Sequence, residues 1–388
     1  MTIWMALPAA GVCVSVLYYA AATVAAIRFA RRMAAPLPPL PKIPPRVAVL
    51  KPLHGTSNSL AANLVSFLEI AYPRAEFYFG VDNYDDAAAE IPVAIRQRYQ
   101  FANITLVVGE EPDCSNHKIA KLIKMADRAE KAEMFVLSDA DVSVERDYLK
   151  RIVGELISDE KIGIVTCAYR ARPGGSFASR LEALYVNTDF LPQVVLADTI
   201  EPAHYALGAT IAIKRRVLEA AGGFRAVKDK LADDFYLGNF TNRQGYAIKL
   251  SDSLVTLTCE ERNFAEFWHH QLRWARTYRT VRPVSLATIL MHGPFWALMA
   301  LAVSRGSAAA FAALVLVIGA RLAMSAAIVG RVVKMPEMLA DLWLVPIKDL
   351  IMTGVWFTSL LSNKVIWAGR QFKVIRGGAM REVKNSRP

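Results

Sequence analysis

Cysteine is scarce: four residues in 388, Cys13, Cys114, Cys167 and Cys259, with no Cys-x-x-Cys pair among them. Such spacing excludes a disulfide framework and a cysteine-built zinc cage, and it fits a reducing compartment. No internal repeat is present, and neither a collagen-like nor a disordered composition. The chain is basic, with 46 Lys and Arg against 35 Asp and Glu and a net charge of +11. No nucleic-acid recognition motif accompanies that charge, so nucleic acid is excluded as the partner.

Apolar residues, by contrast, make up 54% of the chain, beside 21% charged ones. This mixture predicts a soluble domain attached to membrane segments rather than a bare helical bundle. Residues 3–27 form an apolar run of 25, long enough to cross about 30 Å of hydrocarbon with some tilt. Positive charge follows the run, at Arg28, Arg31, Arg32, Lys42 and Arg46. A cleaved leader would carry it in front, so the run reads as a signal anchor with the following domain in the cytoplasm. A second basic group, Lys364, Arg370, Lys373, Arg376, Arg381, Lys384 and Arg387, crowds the C-terminus. Both groups flank apolar segments and suit the anionic lipid of a cytoplasmic leaflet.

Residues 285–303 and 308–330 are also long enough to span. The stretch 339–361 carries Pro346, Lys348 and Asp349 near its middle, which is costly inside a membrane. It reads as re-entrant or interfacial, because a third span would carry the basic tail outside. The expected organisation is a transmembrane anchor at 1–30 and a stiff Pro-rich linker at 31–46. A cytoplasmic catalytic domain follows at 47–262, then an interfacial segment at 263–283, membrane segments at 284–368 and a basic tail at 369–388.

Within 47–262, strand patterns at 47–50, 76–81, 104–108 and 134–138 alternate with helical spacing at 60–70, 87–99 and 117–129. This alternation predicts an α/β domain with a mainly parallel sheet covered on both faces. Ligands of such sheets bind at the carboxyl ends of the strands.

Three acidic groups fall where such a ligand would lie. Val136-Leu-Ser-Asp-Ala-Asp-Val142 delivers Asp139 and Asp141 to the end of a buried strand. Carboxylates at i and i+2 can share one hard divalent cation, Mn²⁺ or Mg²⁺, that also bridges to substrate phosphates. Read structurally, the same residues are a polar strand end or an N-cap. Asp82, Asp85 and Asp86 follow another strand and can accept hydrogen bonds from a ribose or a base; the bland reading is a solvated turn. Asp233 and Asp234 precede a helix. One can cap it, and the other is left to take a proton from an attacking hydroxyl. Asn116-His-Lys118 opens a helix, a place that welcomes a diphosphate. His269-His-Gln-Leu-Arg-Trp274 sets Arg273 beside an aromatic ring, where it can clamp a departing diphosphate. Trp268, Trp274 and Tyr278 equally suit an interfacial aromatic belt.

The succession of these motifs resembles the inverting GT-A glycosyltransferases. More narrowly it resembles the ceramide glucosyltransferase family, and within it the bacterial hopanoid-biosynthesis-associated enzymes. The shared text is Val49-Leu-Lys-Pro-Leu-His-Gly55, Tyr72-Pro73, Asn116-His-Lys118, Ser138-Asp-Ala-Asp141, Gly208-Ala-Thr210, Gly222-Gly-Phe224, Leu231-Ala-Asp-Asp234 and His270-Gln-Leu-Arg-Trp274. The resemblance covers roughly residues 47–283. It implies a UDP-sugar donor and a membrane-lipid acceptor, in an integral protein of the bacterial inner membrane with its catalytic domain cytoplasmic. Asp85 or Asp86, with Asp82, would contact the nucleotide. Asp139 would sit at the metal and diphosphate with Asp141 beside it, and Lys118 and Asp233 would line the donor site. Asp234 would be the general base. Arg273 and Trp274 match the end of the family's (Gln/Arg)-x-x-Arg-Trp motif. His270 stands at its head in place of Gln or Arg, so that role falls to His270 or to Gln271. Two acceptors follow from the resemblance: a hopanoid polyol receiving N-acetylglucosamine or glucose, and ceramide receiving glucose. The rival of another class is a membrane sugar-nucleotide sensor or scaffold without turnover.

Overall fold

The computed structural model describes residues 3–109, 111, 113–367, 370–375 and 377–383. Arg376, Lys384 and Arg387 of the C-terminal basic group lie outside them. The chain divides into two compact units, one of Ala35–Arg172 with Ile200–Thr258, the other of Met1–Ala34, Pro173–Thr199 and Cys259–Pro388.

The first unit is built on an eight-stranded sheet. Its strands are β1 (Val47–Pro52), β2 (Ala75–Val81), β3 (Ile104–Val108), β4 (Met134–Ser138), β5 (Val142–Ser143), β6 (Ile162–Pro173), β7 (Thr210–Lys214) and β8 (Ala247–Cys259). They run in the order β3-β2-β1-β4-β7-β6-β8-β5. The β3-β2-β1-β4 half is parallel, and its strands are those the alternation predicts. β7 then joins antiparallel to β4 and to β6, and β5 antiparallel to β8. β1, β4 and β7 are buried at every position, the expected state of central strands covered on both faces. The helix His117–Arg128 covers one face, seating Ile119, Leu122, Ile123 and Met125 against Leu50, Phe135, Ile211 and Ile213. Parallel pairing of β1, β2 and β4 brings their carboxyl ends to one edge, and Asp82 and Asp139 each follow one of these ends. The predicted helix at 87–99 is a 3₁₀ turn, Ala87–Ala89, followed by the helix Glu90–Arg98.

Residues 35–46 form neither helix nor strand. They lie along this unit: Arg151 donates to the Ala35 carbonyl at 2.8 Å, and Tyr72 to the Pro45 carbonyl at 2.9 Å. Gly154 allows the close approach, since a Cβ there would meet Pro38 at 2.8 Å.

In the second unit two helices, Met5–Met33 and Ala308–Val333, are long and apolar enough to cross a membrane. The stretch read above as a span at 285–303 is a pair, Pro283–Met291 and Gly293–Val303, bent by 61°. The break falls at His292, just before Pro294, which supplies no amide to continue the preceding helix. The 339–361 stretch resolves into a 3₁₀ segment, Pro336–Leu344, and the helix Val345–Leu360 of 16 residues. At 1.5 Å per residue that helix is about 24 Å long, short of a full crossing. Its Lys348 and Asp349 are compensated. Lys348 pairs with Asp349 at 2.7 Å and with Asp189, while Arg321 donates to Asp349 and Asp189, both at 2.8 Å, and to the Thr188 carbonyl at 2.8 Å. Two cations face two carboxylates, the condition under which such burial is tolerated. Beyond it, Lys364–Trp367, Arg370–Val374 and Met380–Glu382 form an antiparallel three-stranded sheet, so part of the basic tail is folded.

Candidate active site

Two of the three acidic groups of the α/β unit meet at Lys118. Its Nζ lies 2.7 Å from Asp139 and 3.5 Å from Asp233. The position of Lys118 is fixed by Asn116, the N-cap of His117–Arg128. The Asn116 carboxamide oxygen accepts from Lys118 N at 3.0 Å and Ile119 N at 3.2 Å, leaving its NH₂ to donate to the Lys230 carbonyl at 2.8 Å and to Asp233 at 3.4 Å. One capping residue therefore fastens the start of that helix to the loop before the helix Asp233–Arg243. Burial works against the Lys118 charge, but Asp139 and Asp233 outweigh it and hold the ammonium firmly protonated.

Asp233 is buried and Asp234 half-buried. Burial raises both, and Lys118 partly relieves Asp233. For Asp234, burial first and the neighbouring Asp233 carboxylate second push it up to about 7. One Asp234 oxygen accepts from Phe235 N at 2.7 Å; the other faces Gly208, where an added Cβ would come within 3.0 Å.

The strand-end acids differ in what they do. Asp82 pairs with Lys121 at 2.9 Å and stands 3.7 Å from His117. Asp86 ties its own loop to the one after β1, accepting from Ala88 N and Gly55 N at 2.9 Å and facing His54 at 3.2 Å. Asp85 is exposed, as is Asp141. Lys118 engages one Asp139 oxygen. A cluster of carboxylate oxygens, with Asp139 at a strand end and Asp141 two residues on, suits a hard divalent cation bridged to phosphates.

Lys51 escaped the sequence reading. It lies inside β1, fully buried, and its Nζ donates to the carbonyls of Asp139 at 2.7 Å and Val142 at 3.2 Å and to Ser138 Oγ at 3.4 Å. Its ammonium also stands 3.9 Å from the Phe67 ring centroid. Burial drives its pKa down to about 7, against the pull of Asp141 and Asp139. The signal was present, a lysine closing an apolar strand, but the partners lie some 90 residues away. Lys121 was missed for the same reason.

The Arg-Trp motif residues belong to the second unit, on the helix Phe264–Val281. Gln271 is buried and donates to both Glu182 oxygens at 2.8 and 2.9 Å. His270 Nδ1 lies 3.1 Å from Glu182 and 3.2 Å from Glu261. Burial disfavours its cation, but Glu182 above all outweighs this and His270 is pushed up to about 9. Trp274 packs edge-on against His270, Tyr185 and Tyr278 and tilted against Phe190. Arg273 stands beside it in the sequence.

A parallel half-sheet ending in aspartates, continued by antiparallel strands, defines the GT-A-like class of glycosyltransferase folds. Residues 7–380 match glycosyl transferase family 21, and the chain belongs to that family. It is 24% identical over 250 residues to ceramide glucosyltransferase 3 of Caenorhabditis elegans, covering 64% of this chain and 53% of that protein. It is 21% identical over 350 residues to ceramide glucosyltransferase 1 of the same organism, covering 88% of this chain and 74% of that one. Among solved structures it is similar to a mannosyltransferase from Pyrobaculum calidifontis in complex with GDP-mannose and Mn²⁺. There the TM-score is 0.55 and the identity 22%, over 92% of this chain and 99% of that one.

Proposed function

We propose that this glycosyltransferase moves a sugar from a UDP-sugar to a hydroxyl of a membrane lipid with inversion at the anomeric carbon. The observation that carries the reading is the cluster of Asp139, Asp233 and Asp234 around Lys118, with Asp234 held near neutrality. A base poised near the working pH is both unprotonated often enough to act and basic enough to take a proton. The acceptor hydroxyl gives its proton to Asp234, its oxygen bonds to the anomeric carbon, and the bond from that carbon to the diphosphate breaks, releasing UDP. Lys118 offers the diphosphate a fixed positive charge, and Lys51 fixes the turn that presents Asp139 and Asp141. A divalent cation held by Asp139 and Asp141 would neutralise charge on the diphosphate. Asp82 and Asp85 are the proposed nucleotide contacts, while Asp86 shapes the loop that carries them. Arg273, Trp274 and His270 or Gln271 are proposed from the family motif alone.

The acceptor we favour is a hopanoid polyol, receiving N-acetylglucosamine or glucose in a bacterial inner membrane with the α/β unit cytoplasmic. The wording around Leu53-His-Gly55 and Leu231-Ala-Asp-Asp234 supports it. Ceramide receiving glucose is the second reading, supported by the two nematode relatives. The deciding experiment offers UDP-glucose and UDP-N-acetylglucosamine, each with ceramide or a hopanoid polyol, to membranes containing the protein and Mn²⁺ or Mg²⁺. UDP release dependent on one sugar–lipid pair establishes the reading and chooses the acceptor. UDP-sugar binding without release for any pair contradicts it and supports a sensor.

A further inference from the structure

The second unit holds a group of side chains of which only His270 enters the proposed chemistry. Glu182, on the helix Phe177–Tyr185, and Glu261, in the loop before Phe264–Val281, both approach His270 of the latter helix. One ligand atom from each lies within 4.8 Å of the other two, and the His270 Nδ1 contacts are 3.1 and 3.2 Å. Ligand atoms around a tetrahedral ion at about 2.0–2.1 Å stand about 3.3 Å from one another. The two distances from His270 Nδ1 are therefore those of neighbouring ligands on one ion.

Hydrogen bonding leaves the same spot unsatisfied. Glu261 Oε2, His270 Nδ1 and Gln271 Oε1 are buried with no hydrogen-bond partner among the described residues. The two carboxylates stand beside Nδ1, yet neither accepts from it in line. Gln271 is 1% exposed and its amide already reaches Glu182. Native interiors leave few polar atoms unsatisfied, so three together call for a partner such as a bound ion.

The three contributing elements are tied down independently. Ser176, the N-cap of the Glu182 helix, donates to the Glu261 carbonyl. Asn263 caps the His270 helix through Glu266 N at 3.0 Å, and Glu266 returns a bond to Arg262 N at 2.8 Å. We propose that Glu182, Glu261 and His270 bind a divalent transition cation of the zinc type, in addition to the cation proposed at Asp139 and Asp141. One imidazole and two carboxylates are ordinary ligands for Zn²⁺. A bound cation would fix the His270 ring, and with it Trp274, whose ring centroid is 5.1 Å away.

The test uses the full chain in detergent with Asp139→Asn and Asp141→Asn, which removes the aspartate pair as a competing site. The protein is stripped with chelator and titrated with Zn²⁺, counted by elemental analysis, and with Co²⁺, read by its visible ligand-field bands. The expected result is one tightly held equivalent and a low-symmetry Co²⁺ spectrum. Adding His270→Gln, which keeps the bulk, abolishes both, and Glu261→Gln weakens Zn²⁺ at least tenfold; circular dichroism confirms that each variant is folded. No bound equivalent in the double-Asn protein overturns the proposal. So does binding that survives both His270→Gln and Glu261→Gln.

Discussion

Gly208→Ala tests the general base without touching it. The new Cβ would sit 3.0 Å from one Asp234 oxygen and 3.5 Å from its Cγ, so the pair must separate by a few tenths of an ångström. The glycine side cannot give way. Leu207 N donates to Thr166 Oγ1 at 2.9 Å, and the Ala209 carbonyl accepts from Ser138 Oγ at 3.2 Å and Asp139 N at 3.4 Å. The movement therefore falls on Asp234, whose other oxygen is hinged on Phe235 N at 2.7 Å. A misplacement of 1 Å can cost about a hundredfold in rate; a shift of about 0.4 Å scales to roughly sixfold, or about 1 kcal/mol. Single-turnover sugar transfer at saturating donor should show kcat reduced about three- to tenfold in that range, with the UDP dissociation constant and melting temperature unchanged. In an Asp234→Asn background the same substitution should cost nothing further. A wild-type kcat, or an equal loss in both backgrounds, refutes the placement of Asp234 as base.

Other consequences follow from the same geometry. With Asp234 held up to about 7, kcat/KM for the donor should fall on the acid side of pH 7, since the base must be deprotonated to act. Asp233→Asn removes the second cause of that elevation and should move the limb to lower pH, as a pH–rate profile would show. Lys51→Met keeps the length of the chain but loses three bonds to the turn bearing Asp139 and Asp141. UDP affinity measured by calorimetry should drop at least tenfold, the effect of about one charged hydrogen bond worth about 1.5–3 kcal/mol reaching the donor site. Arg321→Met leaves Asp189 and Asp349 with Lys348 alone. Breaking such a buried network costs about 3–5 kcal/mol, so thermal unfolding in detergent should begin well below wild type.

The parts of the fold that were legible are those written locally. Apolar strands at 47–50, 76–81, 104–108 and 134–138 alternate with helical spacing, and their order alone implies the parallel half of the sheet. Asp82 and Asp139 were legible because each follows such a strand. The antiparallel half was not read, because β5 has two residues and β6 and β8 extend past the length of ordinary strands. Long-range pairing was also unreadable. Nothing near Lys118 in the sequence says that it meets both Asp139 and Asp233, or that Asp86 bonds to Gly55. The Lys348–Asp349 pair was recognised as needing compensation, but Arg321 and Asp189, which supply it, come from two distant segments. His270 was singled out by its departure from the family motif; its two glutamate neighbours lie on other elements.

The most direct test of the central claim is transfer of radiolabelled sugar from the UDP-sugar into an extracted lipid fraction, comparing wild type with Asp234→Asn. The account predicts a labelled glycolipid of inverted anomeric configuration from the wild type. It predicts a loss of about 10²–10⁴-fold in the variant, the usual worth of a general base, with UDP binding retained. Labelled lipid formed equally by both proteins would contradict it.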